Sequence, residues 1–264
     1  MDVLTPRSLD EALRLRAELP DALPIQGGTD LMVDLNFDRR RPEAILNLNE
    51  VAELKGWSRE NGSLRLGAGL TYSDAMSAEL AALLPALAEA SRTVGSPQIR
   101  NRGTIGGNLG TASPAGDALP PLLISTCEVE VASVRGERRL TLESFLIGPK
   151  RNALAADELI VAARVSGSRG AQTFMKVGPR NAMVIAVVSL ALGVDREGGL
   201  LSAAFGSAGP VPTLVTAALD DADSFPEQVA AAASPIDDVR GTSAYRRHAL
   251  RVLATRALER CLTQ

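Results

Sequence analysis

Apolar and polar positions alternate along the chain with two different periods. From Ser8 to Leu19, Leu9, Ala12, Leu13 and Leu15 recur at helical spacing, and Ser8 with Glu11 three residues on reads as a capping box. Ala22–Gln26 and Glu43–Leu48 read as short buried strands on either side of a Gly27-Gly28-Thr29 turn and a helical turn opened by Asp30 to Val33. The opening of the chain is therefore a small unit of strands alternating with helices. From Trp57 the texture changes. Ser63–Ala68 alternates with period two, as a half-buried strand does, and Thr71 with Asp74 is placed to cap a short helix. Leu80–Arg92 reads as one Ala/Leu-rich helix. Glu128–Val134 and Leu159–Val165 read as strands around a helical turn at Leu142–Leu146. Beyond a Ser/Gly-rich linker at 166–170, strands are expected at Gln172–Val177, Val184–Leu192 and Leu200–Phe205. Helices are expected at Thr213–Leu219, Pro226–Ala233 and Ser243–Leu262.

Composition narrows the class. Apolar residues are 45% of 264, enough for a packed core, while aromatics are 3%, so that core must be aliphatic. Lys plus Arg is 28 against 31 acidic residues, a net charge of −3, which disfavours nucleic acid or an anionic membrane as the main partner. With two cysteines, Cys127 and Cys261, and one histidine, His248, the chain can build neither a cysteine-ligated iron–sulfur cluster nor a His-rich metal site. No metal site is expected. The start of the chain shows no basic segment followed by an apolar one, and no apolar run is long enough to span a bilayer. A cytoplasmic location is the expectation.

Two glycine-rich stretches carry the candidate chemistry. Gly27-Gly28-Thr29-Asp30 lies between a strand and a helix start, where backbone N–H groups favour an anion and missing Cβ atoms let a ligand approach. A tight turn that needs positive φ would account for the same residues. Thr104-Ile105-Gly106-Gly107-Asn108 belongs to a stretch with four glycines in Gly103–Gly110, whose amides need partners that a pyrophosphate could supply; a flexible loop is the alternative. Neither stretch is a Walker loop, and neither is a G-x-G-x-x-G turn. Two such loops from separate regions suggest a dinucleotide held between subdomains.

Three segments together, QGGTDLMVDL from Gln26, SPQIRNRGTIGGNLGTASPAGDALPPLL from Ser96 and PIDDVRGTSAYRRHAL from Pro235, resemble the FAD-binding medium subunit of the molybdenum hydroxylases, the family of xanthine dehydrogenase and aerobic carbon monoxide dehydrogenase. The resemblance implies an α+β fold: a two-subdomain FAD-binding fold of the PCMH (vanillyl-alcohol-oxidase-like) type, over residues 1–56 and 57–167, followed by a C-terminal α/β domain of antiparallel sheet and helices over 168–264. It implies FAD as cofactor, with the pyrophosphate on the backbone of Gln26, Gly27, Gly28, Thr29, Asp30 and Leu31 and of Thr104, Ile105, Gly106, Gly107 and Asn108. It also implies that Asp117 accepts hydrogen bonds from flavin hydroxyls, and that Val94 and Ile160 line the site. A molybdopterin-binding large subunit and a [2Fe–2S] small subunit are the implied partners, with NAD, quinone or oxygen as the final acceptor. The family's lysine after a DIA-like motif is replaced by Val187, and Lys176 is not an obvious substitute. No side chain is expected to act as an acid–base catalyst. A stand-alone FAD-dependent oxidoreductase and a flavin-free binding module are the alternative readings.

The remaining candidates have ordinary readings. His248 lies among arginines on a solvated helix face, Cys127 is a small buried residue, and Asp237 and Asp238 cap the last helix and hold the preceding segment through Arg240. Arg39-Arg40-Arg41 reads as a solvated loop or, less simply, as a docking edge for an acidic partner.

Overall fold

The computed structural model describes residues 1–167 and 169–263; Ser168, in the expected linker and at the expected start of the last domain, lies outside the described residues. The chain opens with β1 (Asp2–Leu4), α1 (Leu9–Glu18), β2 (Leu23–Ile25), α2 (Leu31–Asn36) and β3 (Ala44–Asn47). The strands form a parallel sheet in the order β1-β3-β2. The cap of α1 is half a capping box. Ser8 Oγ accepts from the Glu11 amide, but the Glu11 carboxylate accepts from the Arg7 amide and not from Ser8.

The middle region contains β4 (Trp57–Glu60), β5 (Ser63–Gly67), α3 (Tyr72–Ala75), α4 (Ala78–Leu83), α5 (Pro85–Thr93), α6 (Pro97–Arg100), α7 (Ile105–Thr111) and α8 (Leu119–Ile124). It continues through β6 (Glu128–Ser133), β7 (Gly136–Thr141), α9 (Leu142–Phe145), the short pair β8 (Leu146–Gly148) and β9 (Arg151–Asn152), and β10 (Leu159–Val165). Its five-stranded antiparallel sheet runs β4-β5-β10-β6-β7. Thr71 and Asp74 complete a capping box at α3. The single helix expected over Leu80–Arg92 is two, because Pro85 cannot continue α4 and starts α5 instead. β4 and β7 were not foreseen: their residues are largely exposed, so no apolar alternation marks them.

The last region is a meander of β11 (Ala171–Val177), β12 (Val188–Asp195), β13 (Leu200–Gly206) and β14 (Thr213–Ala218), covered by α10 (Phe225–Ala231) and α11 (Ser243–Leu262). Thr213–Leu219, expected as helix, forms the edge strand β14, paired from Phe205↔Thr213 to Leu200↔Ala218. Its β-branched Thr213, Val215 and Thr216 fit a half-exposed strand better than a helix. The strand expected from Val184 begins at Val188, since Met183 takes positive φ and the preceding segment loops outward.

Aliphatic side chains fill the cores as the composition requires. One cluster, centred on Leu66, Ile105, Leu109, Leu122 and Phe145, lies under the middle sheet; another, centred on Leu190, Phe205, Phe225 and Leu253, lies between the meander and the last two helices. A third joins the opening unit to the middle sheet through Leu46, Leu54, Ala68 and Val161. Glu89 on α5 ties the middle region to the last one. One carboxylate oxygen accepts from Thr173 Oγ1 (2.8 Å) and the Phe174 amide (2.7 Å), and the other from Arg260 on α11 (2.7 Å). Among the described residues no helix is long and apolar enough to cross a membrane, and no cluster of His, Cys, Asp or Glu could hold a metal ion.

A candidate cofactor site between two loops

The turn after β2 presents a run of unpaired backbone donors. Gly28 has φ +76°, a conformation that favours glycine, and the amides of Gly27, Gly28, Thr29, Asp30 and Leu31 donate to no group among the described residues. Five neighbouring donors without acceptors are a strong local demand for oxygen atoms. Gln26, one residue earlier, turns its side chain inward to the Leu48 carbonyl (3.3 Å).

The second loop meets the first closely. A Cβ on Gly27 would overlap the Arg102 carbonyl oxygen, so only glycine lets the two backbones approach. Asp30 accepts from Thr111 Oγ1 at 3.2 Å, a second tie between them. The expectation of free amides holds here for Thr104, whose amide donates to no group among the described residues, and not for the four residues after it. Thr104 caps α7, and the Ile105, Gly106, Gly107 and Asn108 amides donate to Leu70 O, Ala68 O, Thr104 Oγ1 and Thr104 O at 2.8–3.0 Å. The stretch also packs a core, since Ile105 and Leu109 are fully buried. Its two central glycines have different tasks. A Cβ on Gly106 would stand 2.6 Å from the Ala68 Cβ, whereas one on Gly107 would meet Thr104 Oγ1 at 3.1 Å and nothing else within 4 Å. Gly106 is needed for packing; Gly107 presents bare backbone to the outside.

Asp117, just before α8, is buried and paired. Lys176 Nζ on β11 donates to its Oδ2 at 2.6 Å and to the Thr93 carbonyl at 3.2 Å. Asp117 Oδ1 and Asn108 Oδ1 are both buried with no hydrogen-bond partner. Burial pushes the Asp117 carboxyl above the usual carboxylate range, against the pull of the Lys176 ammonium. Burial likewise pushes up the phenol of Tyr72, whose proton is further held by the Asp117 charge. Lys176 also lines a cleft of about 740 Å³, together with Thr93, Arg92, Arg100 and Arg180. Val94 is half-buried at the end of α5, and its carbonyl accepts from Arg100 at 3.1 Å. Ile160 on β10 lies 3.6 Å from the position of a Cβ on Gly110.

Thus Asp30 is joined to α7, Gly27 to the start of the second loop, and Asp117 to Val94's neighbour Thr93 through Lys176. Lys176, not an obvious substitute for the family's lysine by sequence, is in register with the buried Gln172 and Phe174 on one face of β11. A lysine on a buried strand face was the available signal. The other sequence candidates stay ordinary. His248 is exposed beside Arg251, and Cys127 is buried, which pushes its thiol up. Asp237 accepts from the Ser243 amide at the start of α11, and Asp238 pairs with Arg240 and Arg246.

Comparison with known proteins gives the family and the fold. Residues 1–165 match a family described as the FAD binding domain in molybdopterin dehydrogenase. The chain is 34% identical to the nicotinate dehydrogenase FAD-subunit of Eubacterium barkeri, over 75% of this chain and 70% of that one. It is 31% identical to a putative xanthine dehydrogenase FAD-binding subunit of Escherichia coli (strain K12), over 90% and 86% respectively. Among solved structures, a chain of the cyanide-inactivated Cu,Mo-CO dehydrogenase superposes with a TM-score of 0.92 at 27% identity, covering 99% of this chain and 97% of that one.

Proposed function

Because the chain belongs to the family of FAD-binding domains in molybdopterin dehydrogenases, and so is the FAD-binding flavoprotein subunit of a molybdenum hydroxylase, we propose that it relays electrons from the [2Fe–2S] clusters of a small subunit through FAD to NAD, quinone or oxygen. The molybdopterin centre of a large subunit would oxidise the substrate of the complex. Two cysteines cannot ligate a cluster, so the donor lies outside these 264 residues.

The observation that carries the site is the run of unpartnered amides from Gly27 to Leu31. In this reading those amides donate to the FAD pyrophosphate, and the bare face of Gly107 lets the phosphates come close. The remaining sequence candidates, Gln26, Thr104, Ile105 and Gly106, shape the two loops by packing and capping and need not touch the cofactor with their amides. Asn108 and Asp117 each offer a buried oxygen without a partner, suited to flavin hydroxyls. Lys176 holds Asp117 in place and keeps a positive charge beside the cofactor. Val94 and Ile160 supply apolar walls.

Bound FAD supplies the group that takes and gives up electrons; the protein supplies binding, orientation and electrostatics. No side chain here has to move a proton. Purification of the chain from its own host tests the reading. The flavin spectrum should appear at one FAD per chain, two further subunits should accompany it, and adding the substrate of the complex should bleach the flavin. A flavin that stays oxidised in the intact, substrate-reduced complex would refute the relay.

A further inference from the structure

β11 is an edge of its sheet, so its outward backbone donors have no strand to pair with. One of them, the Phe174 amide, donates at 2.7 Å to Glu89 Oε2 on α5, and Thr173 Oγ1 donates to the same oxygen at 2.8 Å. Thr173 and Phe174 are both buried. Lys176, two residues on, also reaches back to α5, donating to the Thr93 carbonyl at 3.2 Å as it donates to Asp117 Oδ2 at 2.6 Å. The helix and the strand are thus pinned at two points whose spacing matches. Glu89 and Thr93 lie one turn apart, about 6 Å along a helix axis. Phe174 and Lys176 lie two residues apart, about 6.6 Å along a strand. The apolar contact at this place is small, with Ala86 and Ala90 of α5 meeting Phe174 and Ala191. Alanine side chains bury little area, so the polar ties carry much of the alignment of α5 with β11.

We infer that Glu89 is a positioning residue for the flavin site: by fixing β11 on α5 two residues before Lys176, it sets the Lys176 ammonium against Asp117 and so beside the cofactor. This rests on the proposed function, in which Lys176 stands next to FAD. Both acceptors of the ammonium, Thr93 and Asp117, belong to the middle region, whereas Lys176 belongs to the last one. The place of the charge therefore depends on how the two regions meet, and Glu89 makes that junction one helical turn from Thr93. The sign of its effect separates this role from a direct one. Reduction adds negative charge to a flavin, so a nearby ammonium favours the reduced form and a nearby carboxylate the oxidised form. Loss of the Glu89 charge, acting directly, would favour reduction. Loss of its grip on β11, which displaces Lys176, would disfavour it. Arg260 on α11 donates to the other Glu89 oxygen at 2.7 Å, and its removal leaves both β11 bonds in place.

The test uses the full chain purified with its FAD from its own host, at pH 8, with the flavin equilibrated against a redox dye and circular dichroism as the folding control. Lys176→Met should shift the flavin equilibrium toward the oxidised form at least tenfold, about 30 mV for a two-electron couple. Glu89→Ala should shift it the same way at least threefold. Glu89→Asp, which keeps the charge but is one methylene short, should do likewise, and it carries the test if Glu89→Ala does not fold. Glu89→Gln keeps an acceptor oxygen for the β11 donors and should stay within twofold of the unaltered chain, as should Arg260→Met. Glu89→Ala added to Lys176→Met should bring no further shift toward the oxidised form. Glu89→Ala and Glu89→Asp variants that leave the equilibrium unmoved, or that favour reduction, overturn the inference while Lys176 keeps its place at the cofactor. So does a shift in Arg260→Met as large as that in Glu89→Ala, which would assign the effect to a general loosening of the last region. An unmoved flavin in Lys176→Met removes Lys176 from the cofactor, and this inference falls with that reading.

Discussion

Replacing Lys176 by Met would strand a charge. The two partners lie 2.6 Å apart, and their side chains are 6% and 10% exposed, so solvent cannot take over the role of the lost ammonium. Breaking a buried ion pair by removing one member costs about 3–5 kcal/mol, mostly from the charge left behind. For a chain of this size that corresponds to roughly 6–20 °C in melting temperature. The loss should depend on pH. Asp117 already titrates above its unfolded value because of burial, and without Lys176 it must rise further. A carboxyl with a raised folded pKa contributes stability that is complete below the unfolded pKa and is lost as pH rises through the folded one. The variant should therefore approach the unaltered protein near pH 4 and fall furthest behind at pH 8. Thermal scans at pH 5 and pH 8 on FAD-stripped protein measure this without linkage to cofactor binding. Lys176→Met combined with Asp117→Asn should recover most of the lost stability, because no charge is then left unpaired. A deficit that is equal at both pH values, or a double variant no better than the single one, would refute the argument.

Four further outcomes follow from the same geometry. Gly27→Ala should lower stability by about 1–3 kcal/mol and reduce FAD content, since its Cβ would force the two loops apart; a denaturant melt and a flavin spectrum read both. Gly107→Val should keep the circular dichroism spectrum and lose FAD, through obstruction of the bare backbone face, since Gly107 does not have positive φ. Full FAD occupancy in that variant would remove α7 from the cofactor site. Arg246→Met should destabilise by about 3–5 kcal/mol, because this fully buried guanidinium serves Val187 O at 2.9 Å, Ser207 O at 2.7 Å and Asp238. Thr104→Ala should cost about 1 kcal/mol by uncapping α7, visible as a shift in urea midpoint with unchanged slope.

Much of the fold is legible in the sequence. Apolar periodicity marks α1 and β5, and caps such as Thr71 with Asp74 mark where helices begin. The misses have physical causes. β14 mixes three β-branched residues with Leu214 and two Ala, so its composition alone does not decide between helix and strand, and its pairing with β13 does. β4 and β7 are exposed edge strands. At the site, the glycine loops were legible as a class, but their division of labour was not. Whether an amide is free depends on what lies across from it. For Gly106 that is Ala68 in a different element, whereas for Gly27 the amide has no acceptor. The Asp117–Lys176 pair joins residues 59 positions apart, so only the alternation within β11 hinted at it.

The Glu89 clamp bears on the order in which the molecule is made. Its acceptor side is synthesised early, yet Thr173 and Phe174 follow 84 and 85 residues later, and Arg260 follows 171 residues later. Lys176, which completes the charge balance at Asp117, arrives with the same late strand. While the chain is still emerging from the ribosome, the glycine loops can already meet, but Asp117 has no counter-charge and α5 has no lid. The proposed cofactor site is therefore complete, with Asp117 paired, only once the last region of the chain has been made.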